Sequence, residues 1–128
     1  MDSSAFLAYL RGEPGADLVA AALAAGARIS AVNWAEVLSK LADVGQDPDQ
    51  FTKLMGDQGI LGGALAVQSF EVGHAQLVAR LTDKTRPRGL SLGDRACLAL
   101  GKATGHPILT ADKAWKELEL GLEIRLIR

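Results

Sequence analysis

The stretch that most constrains this chain runs Gly89-Leu90-Ser91-Leu92-Gly93-Asp94-Arg95-Ala96-Cys97-Leu98-Ala99-Leu100-Gly101, followed closely by His106-Pro107-Ile108-Leu109-Thr110-Ala111-Asp112. Ser91 is a good N-cap, and Asp94 stands three residues later, as in a capping box. Leu92, Ala96, Leu100 and Ala103 recur at helical spacing. Gly105 ends the helix, and Pro107 prevents its return. Ile108 and Leu109 then form a short apolar run suited to a buried strand. Asp94 therefore lies at the start of a helix and Asp112 just past the end of a strand. In an open α/β sheet both places face the carboxyl edge, where ligands bind.

The rest of the chain repeats this grammar. Asp2-Ser3-Ser4 offers capping groups to a helix over residues 5–10, and Arg11 to Gly15 breaks it. Residues 17–25 form an Ala- and Leu-rich helix ending at Gly26. Arg28 to Val32 reads as a short strand. Asn33-Trp34-Ala35-Glu36 restarts a helix with an Asn-x-x-Glu cap, running to about Val44. Asp47-Pro48 caps a helix carrying Phe51, Leu54 and Met55 on one face. The glycine-interrupted segment 56–63 has no assignable periodicity. Residues 64–67 read as a strand, 71–81 as a helix and 82–88 as a polar, basic connector. A short helix over 113–118 and an alternating strand over 122–127 complete the chain. Short apolar strands between helices predict an α/β fold with a mostly parallel sheet, as one domain over residues 1–128.

Composition excludes several classes. At 48% hydrophobic residues the chain has enough apolar matter for a core. Its formal net charge of -1 makes it no basic nucleic-acid binder as a whole, so any such contact comes from a local patch or through metal ions. The single cysteine, Cys97, allows no internal disulfide and no cysteine zinc site. Its place in an apolar helix pattern predicts a buried, unreactive thiol. No signal peptide or membrane-length apolar run is visible, which predicts a soluble, cytoplasmic protein. Glycine-rich phosphate loops, histidine zinc motifs and Gly-x-Ser-x-Gly elbows are absent.

Four acids stand at element junctions: Asp2, Glu36, Asp94 and Asp112. Taken singly, each is better explained as a helix cap or a macrodipole partner than as a ligand. As a set they resist that account. With parallel strands, all four reach one sheet edge, where four carboxylates repel unless some hold protons. A hard divalent cation removes that cost, because carboxylate oxygens are the donors Mg²⁺ and Mn²⁺ prefer. Such a site can bind phosphate oxygens and lower the pKa of a bound water.

The chain resembles a PIN-domain ribonuclease, in particular the VapC-type toxin of bacterial type II toxin–antitoxin systems. The matching stretches are Asp2 to Leu10, Asn33-Trp34-Ala35-Glu36-Val37, Leu90 to Leu100, and Ile108-Leu109-Thr110-Ala111-Asp112-Lys113-Ala114-Trp115. The last two are specific; the first two are weaker alone. The resemblance implies a PIN-like three-layer α/β/α sandwich with a short central parallel sheet. It implies Mg²⁺- or Mn²⁺-dependent endonucleolytic cleavage of RNA, inhibition by a cognate VapB-like antitoxin, and a homodimer. By resemblance, Asp2, Glu36, Asp94 and Asp112 are the catalytic quartet. Asp2, Asp94 and Asp112 would be the main metal ligands, and Glu36 would bind or orient through water. Ser4 and Thr110 would hold carboxylates or waters, although a plain helix cap explains Thr110 equally well. The family also places an apolar strand ahead of its first acid, whereas only Met1 precedes Asp2 here. Either the given start is late, or the first strand is missing or truncated; in the second case the expectation is a sheet with a central gap whose slot is filled by another segment or a partner chain.

Among the basic residues, Arg11, Arg86 and Arg88 lie in loops and are the best candidates for substrate contact; Lys40, Arg95 and Lys113 also flank the acids. His74 and His106 lack partners at ligand spacing. Trp34 and Trp115 follow acid-bearing junctions and could stack bases, but packing is the safer reading. The rival from another class is a non-catalytic PIN-like module that binds antitoxin or RNA without cutting it. A magnesium phosphatase would need an Asp-x-Asp nucleophile after its first strand, and no such pair follows a predicted strand. Divalent-dependent cleavage abolished by Asp94→Asn separates enzyme from binder.

Overall fold

The computed structural model describes residues 1–128. In chain order the elements are α1 (Ser3–Leu10), α2 (Ala16–Ala24), β1 (Ala27–Ser30), α3 (Ala31–Ala42), α4 (Pro48–Asp57) and β2 (Leu65–Gln68). They continue with α5 (Val72–Thr85), a 3₁₀ turn (Arg86–Arg88), α6 (Leu92–Thr104), β3 (Ile108–Thr110), a 3₁₀ turn (Lys113–Glu117) and β4 (Ile124–Leu126). The architecture is the PIN-like α/β/α arrangement, with helices packed around short parallel strands. No helix is long and apolar enough to cross a membrane.

The strands do not form one sheet. β1 pairs in parallel with β2, Ile29 opposite Val67, and β3 pairs in parallel with β4, Leu109 opposite Arg125. The two ladders are bridged by the first two residues: the Met1 ammonium donates to the Arg28 carbonyl at 2.8 Å, and the Asp2 amide to the Leu109 carbonyl at 3.1 Å.

Two apolar cores flank the strands. One gathers Phe6, Val19, Ile29, Trp34, Val37, Met55 and Leu65 with Met1 and Ile127. The other gathers Val78, Leu81, Cys97, Leu98, Ile108 and Trp115. Both tryptophans are buried, as packing predicts. Cys97 is buried too, and burial pushes its thiol pKa up to about 12, so it is inert at neutral pH.

Three local expectations are corrected. Asn33 is not a cap. Ser30 ends β1 and its hydroxyl accepts the Val32 amide, so α3 begins at Ala31 and draws Asn33 and Glu36 into its first turns. Helix α5 runs four residues further than its apolar periodicity indicated. The Thr82 and Thr85 hydroxyls bond back to the Val78 and Leu81 carbonyls, Thr85 is buried, and only at Pro87 is an amide donor lost. The buried face of α6 is Gly93 and residues 96–101, while Leu92 is 61% exposed and Ala103 lies on the surface. The segment after Asp112 is a short helix as expected, of 3₁₀ type. The Ser91–Asp94 capping box and the Gly105 terminus form as the sequence indicated; Gly105 has φ +69°, where a side chain would be strained.

Candidate active site

The four acids stand on the N-terminal portions of four elements: Asp2 caps α1, Glu36 lies in the second turn of α3, Asp94 in the first turn of α6, and Asp112 caps the 3₁₀ turn after β3. Helix N-termini carry partial positive charge, which favours carboxylates there. Each acid therefore has a local reason for its place. What needs tertiary structure is how they are tied together.

Asp2 is the hub. Its carboxylate is buried and accepts from the Ala5 amide at 2.9 Å, from the Ser4 hydroxyl at 2.8 Å and from the Thr110 hydroxyl at 2.6 Å. Burial pushes its carboxyl above the ordinary carboxylate range, and the Thr110, Ala5 and Ser4 bonds only partly offset that. The same hydroxyls reach further. Ser4 Oγ accepts the Ala111 amide at 3.0 Å, and Thr110 Oγ1 accepts the Asp112 amide at 3.0 Å. Thr110 thus bonds both the Asp112 amide of its own turn and the Asp2 carboxylate.

Glu36 is held from two sides. Ser3 Oγ donates to Oε2 at 2.8 Å and Asn33 Nδ2 at 3.0 Å. The same Asn33 Nδ2 donates to the Gly93 carbonyl at 2.9 Å, joining α3 to the start of α6. A Cβ on Gly93 would collide with Glu36 Oε1, so this glycine lets the carboxylate rest against the residue next to Asp94. Asn33 Oδ1 is buried without a partner, an acceptor left open beside Glu36. Ser3, Asn33 and Gly93 are the site residues that sequence reasoning missed. The signal for one of them was present: residues three apart on a helix share a face, as Asn33 and Glu36 do.

No three carboxylate, imidazole or thiol groups converge closely enough to enclose an ion in this arrangement. The reason is visible in the bonds. Asp94 Oδ2 faces the Ser91 amide at 2.8 Å, Asp112 Oδ1 faces the Ala114 amide at 2.9 Å, and the Asp2 oxygens are engaged by three donors. In kind, the donors nevertheless fit a hard divalent cation: all are oxygens, and the buried Asp2 has no Lys, Arg or His partner, only the weak pull of the neighbouring Met1 ammonium. None of the four acids forms an ion pair, although six ion pairs occur elsewhere in the chain. Asp2, Glu36 and Asp94 also all act on Cys97, each raising its pKa, so their fields overlap at one buried point.

The basic candidates lie further out. Arg86 pairs with Asp83 at 3.5 Å and Arg88 with Glu117; both are exposed on the 3₁₀ turn that leads into α6. Arg11 caps the opposite end of α1 from Asp2 and pairs with Glu13 at 3.8 Å. Arg95 donates through Nε to the Thr85 hydroxyl at 2.9 Å. Lys40 and Lys113 are exposed and form no ion pair. His74 closes the N-terminal capping box of α5, and His106 is exposed in the turn before β3.

The PIN domain family matches this chain over residues 1–120. The chain belongs to the PIN domain family. PIN domains are generally metal-dependent nucleases that commonly bind RNA and partner proteins, and this PIN-domain chain carries its four acids at or near the N-terminal ends of helical elements. No curated protein matches the PIN-domain chain.

Proposed function

We propose that this PIN-domain protein is a VapC-type toxin: a Mg²⁺- or Mn²⁺-dependent endoribonuclease of a type II toxin–antitoxin system. The observation that carries this reading is the set of four acids, none neutralised by a basic side chain: Thr110 joins the Asp2 carboxylate to the Asp112 amide, Ser3 joins α1 to Glu36, and Asn33 joins Glu36 to the Gly93 carbonyl beside Asp94. A scaffold has no need to assemble unpaired carboxylates, one of them buried, at an energetic cost.

Asp2, Asp94 and Asp112 would hold the cation, with Glu36 binding or orienting through water. When bound, a divalent cation supplies an activated water and charge stabilisation at the scissile phosphate. The protein's own groups do the positioning. Ser4 and Thr110 fix the Asp2 carboxylate, and Asn33 and Ser3 fix that of Glu36. Turning Asp94 and Asp112 toward a ligand costs each one capping bond, about 1 kcal/mol apiece on exposed helix ends. Arg86 and Arg88 would guide the RNA backbone into the α6 N-terminus; Arg11, at the far end of α1, would contact a more distant part of the strand. The proposal includes one domain over residues 1–128, a cytoplasmic setting, a homodimer, and a VapB-like antitoxin as inhibitor.

The test is a titration of Mn²⁺ or Mg²⁺ into the antitoxin-free protein, with cleavage of a structured RNA followed in the same samples and Asp94→Asn run beside it. The expected result is metal-dependent cutting that falls by about 100-fold or more in the variant, the scale on which loss of a charged catalytic group acts. Folded wild-type protein that neither binds metal nor cuts RNA would overturn the nuclease reading in favour of a binding module.

A further inference from the structure

One cation in the chain differs from all the others. Of the 14 lysines and arginines, only Arg95 is not exposed, and it pairs with no carboxylate. Five other arginines are neutralised: Arg11 and Arg128 by Glu13, Arg86 by Asp83, Arg88 by Glu117 and Arg125 by Glu123. Half-burying a charge without a counter-charge costs free energy. Arg95 also stands one residue after Asp94 in the first turn of α6, where the partial positive charge of a helix N-terminus adds to that cost.

Thr85, the last residue of α5, holds the guanidinium. Helices α5 and α6 pack against each other, and Thr85 is fully buried. Its hydroxyl donates its one hydrogen to the Leu81 carbonyl at 2.7 Å, which leaves the oxygen free only to accept, and Arg95 Nε donates to it at 2.9 Å. That bond occupies the Nε edge alone; neither Nη group of Arg95 donates to a protein atom. The C-terminal end of α5 attracts a cation, which accounts for the Nε bond but leaves the Nη pair unused. A tie between two helices needs one donor, which a lysine supplies as well. What arginine adds is a planar fork whose terminal pair matches two oxygens of one phosphate. The surrounding corner belongs to the acid site: Arg86 and Arg88 lie on the 3₁₀ turn leading into α6, and the Arg88–Glu117 pair ties that turn to the one Asp112 caps.

We infer that Arg95 is a phosphate-binding residue, its terminal Nη pair gripping a phosphate of the RNA strand next to the scissile one, and that Thr85 is the positioning residue that orients it. The substrate class rests on the nuclease reading above. Successive helical residues diverge by about 100°, so Arg95 reaches past the phosphate that Asp94 serves to a neighbouring one. An RNA backbone approaching four carboxylates is repelled. The exposed Arg86 and Arg88 counter that only through solvent, and each already has a carboxylate partner. Arg95 is held in place before RNA arrives, so the ordering of a long side chain is completed on folding rather than on binding.

The experiment follows binding of a short, fluorescein-labelled single-stranded RNA by anisotropy over a salt series, in EDTA and again in Ca²⁺, with thermal midpoints alongside. Arg95→Gln is expected to weaken binding by about 10- to 100-fold and to flatten the log–log salt slope by about 0.7, the share of one phosphate contact on a single strand. Arg95→Lys keeps the charge without the fork and should bind about tenfold more weakly with its slope retained. Thr85→Val leaves the guanidinium intact but unpinned and should bind about fivefold more weakly, while Thr85→Ser restores the wild-type affinity. Unchanged affinity and slope in Arg95→Gln would overturn the inference and leave Arg95 as a tie between α5 and α6; should that variant not fold, unchanged affinity in Arg95→Lys decides the same way. Thr85→Val with a lower midpoint but full affinity would overturn the positioning role. Wild-type protein that binds no RNA in either condition would overturn the whole inference. Cleavage in Mn²⁺ separates it from the nuclease reading: RNA binding with the expected Arg95 and Thr85 losses but no cutting overturns that reading alone, and cutting by Arg95→Gln with wild-type kcat and KM overturns this inference alone.

Discussion

Thr110→Val tests whether the Thr110 hydroxyl supports the Asp2 carboxylate or merely caps the turn after β3. Valine matches threonine in shape and removes only the hydroxyl. Three contacts go with it: the 2.6 Å donation to Asp2 Oδ2, the 3.0 Å acceptance from the Asp112 amide, and a long 3.4 Å contact with Ser4 Oγ. A hydrogen bond to a charged group contributes about 1.5–3 kcal/mol, and the partly buried Asp112 amide adds about 1 kcal/mol when unpaired. The expected loss at neutral pH is thus about 3 kcal/mol, or a midpoint lower by about 10 °C for a chain of this size. The pH dependence carries the diagnosis. Burial raises the Asp2 pKa above 3.8, so the folded state binds that proton more tightly than the unfolded chain does. Asp2 therefore favours folding when protonated, and stability falls as pH rises from 3.8 through its folded pKa. The Thr110 bond lowers that folded pKa, so removing it raises the pKa further and widens the window of loss. Urea unfolding of both proteins between pH 4 and pH 8 should show a deficit that grows toward neutral pH. In an Asp2→Asn background the growth should vanish, leaving only the pH-independent Asp112 part. A deficit constant across this range, or one that still grows with pH in the Asn background, would refute the argument that Thr110 acts on Asp2.

Three further outcomes follow from the same geometry. Gly93→Ala places a methyl against Glu36 Oε1; because a flexible carboxylate tip can swing away, stability should fall by only about 1 kcal/mol while RNA cleavage falls by about tenfold or more, and a large stability loss with normal activity would contradict this. Asn33→Ala removes the bridge to both Glu36 and the Gly93 carbonyl; unfolding measurements should find a loss of about 2–3 kcal/mol, with Asn33→Asp worse still through repulsion from Glu36. Cys97, with its thiol pKa near 12, should resist alkylating reagents at pH 8 until the protein is unfolded; rapid labelling of the native protein would mean that α6 is open.

Sequence by itself determined the local elements and the identity of the acids. Ser91 with Asp94, Gly105, Asp47-Pro48 and the apolar run at Ile108 are short-range signals, and each formed because a cap, a left-handed glycine or a missing donor acts within a few residues. Where neighbours in space compete, those signals failed. The Asn33-x-x-Glu36 pattern resembles a cap, but Ser30 at the end of β1 takes that role, and Asn33 is drawn inward to the Gly93 carbonyl sixty residues away. Helix α5 runs past its apolar face because Thr82 and Thr85 supply their own backbone bonds. Only tertiary structure decided that Ser3 serves Glu36 while its neighbour Ser4 serves Asp2, since successive residues of one helix point to different sides. It alone decided which strands pair, β1 with β2 and β3 with β4. Strand pairing is a contact between distant segments, and no periodicity within β1 or β3 states which neighbour lies on each edge.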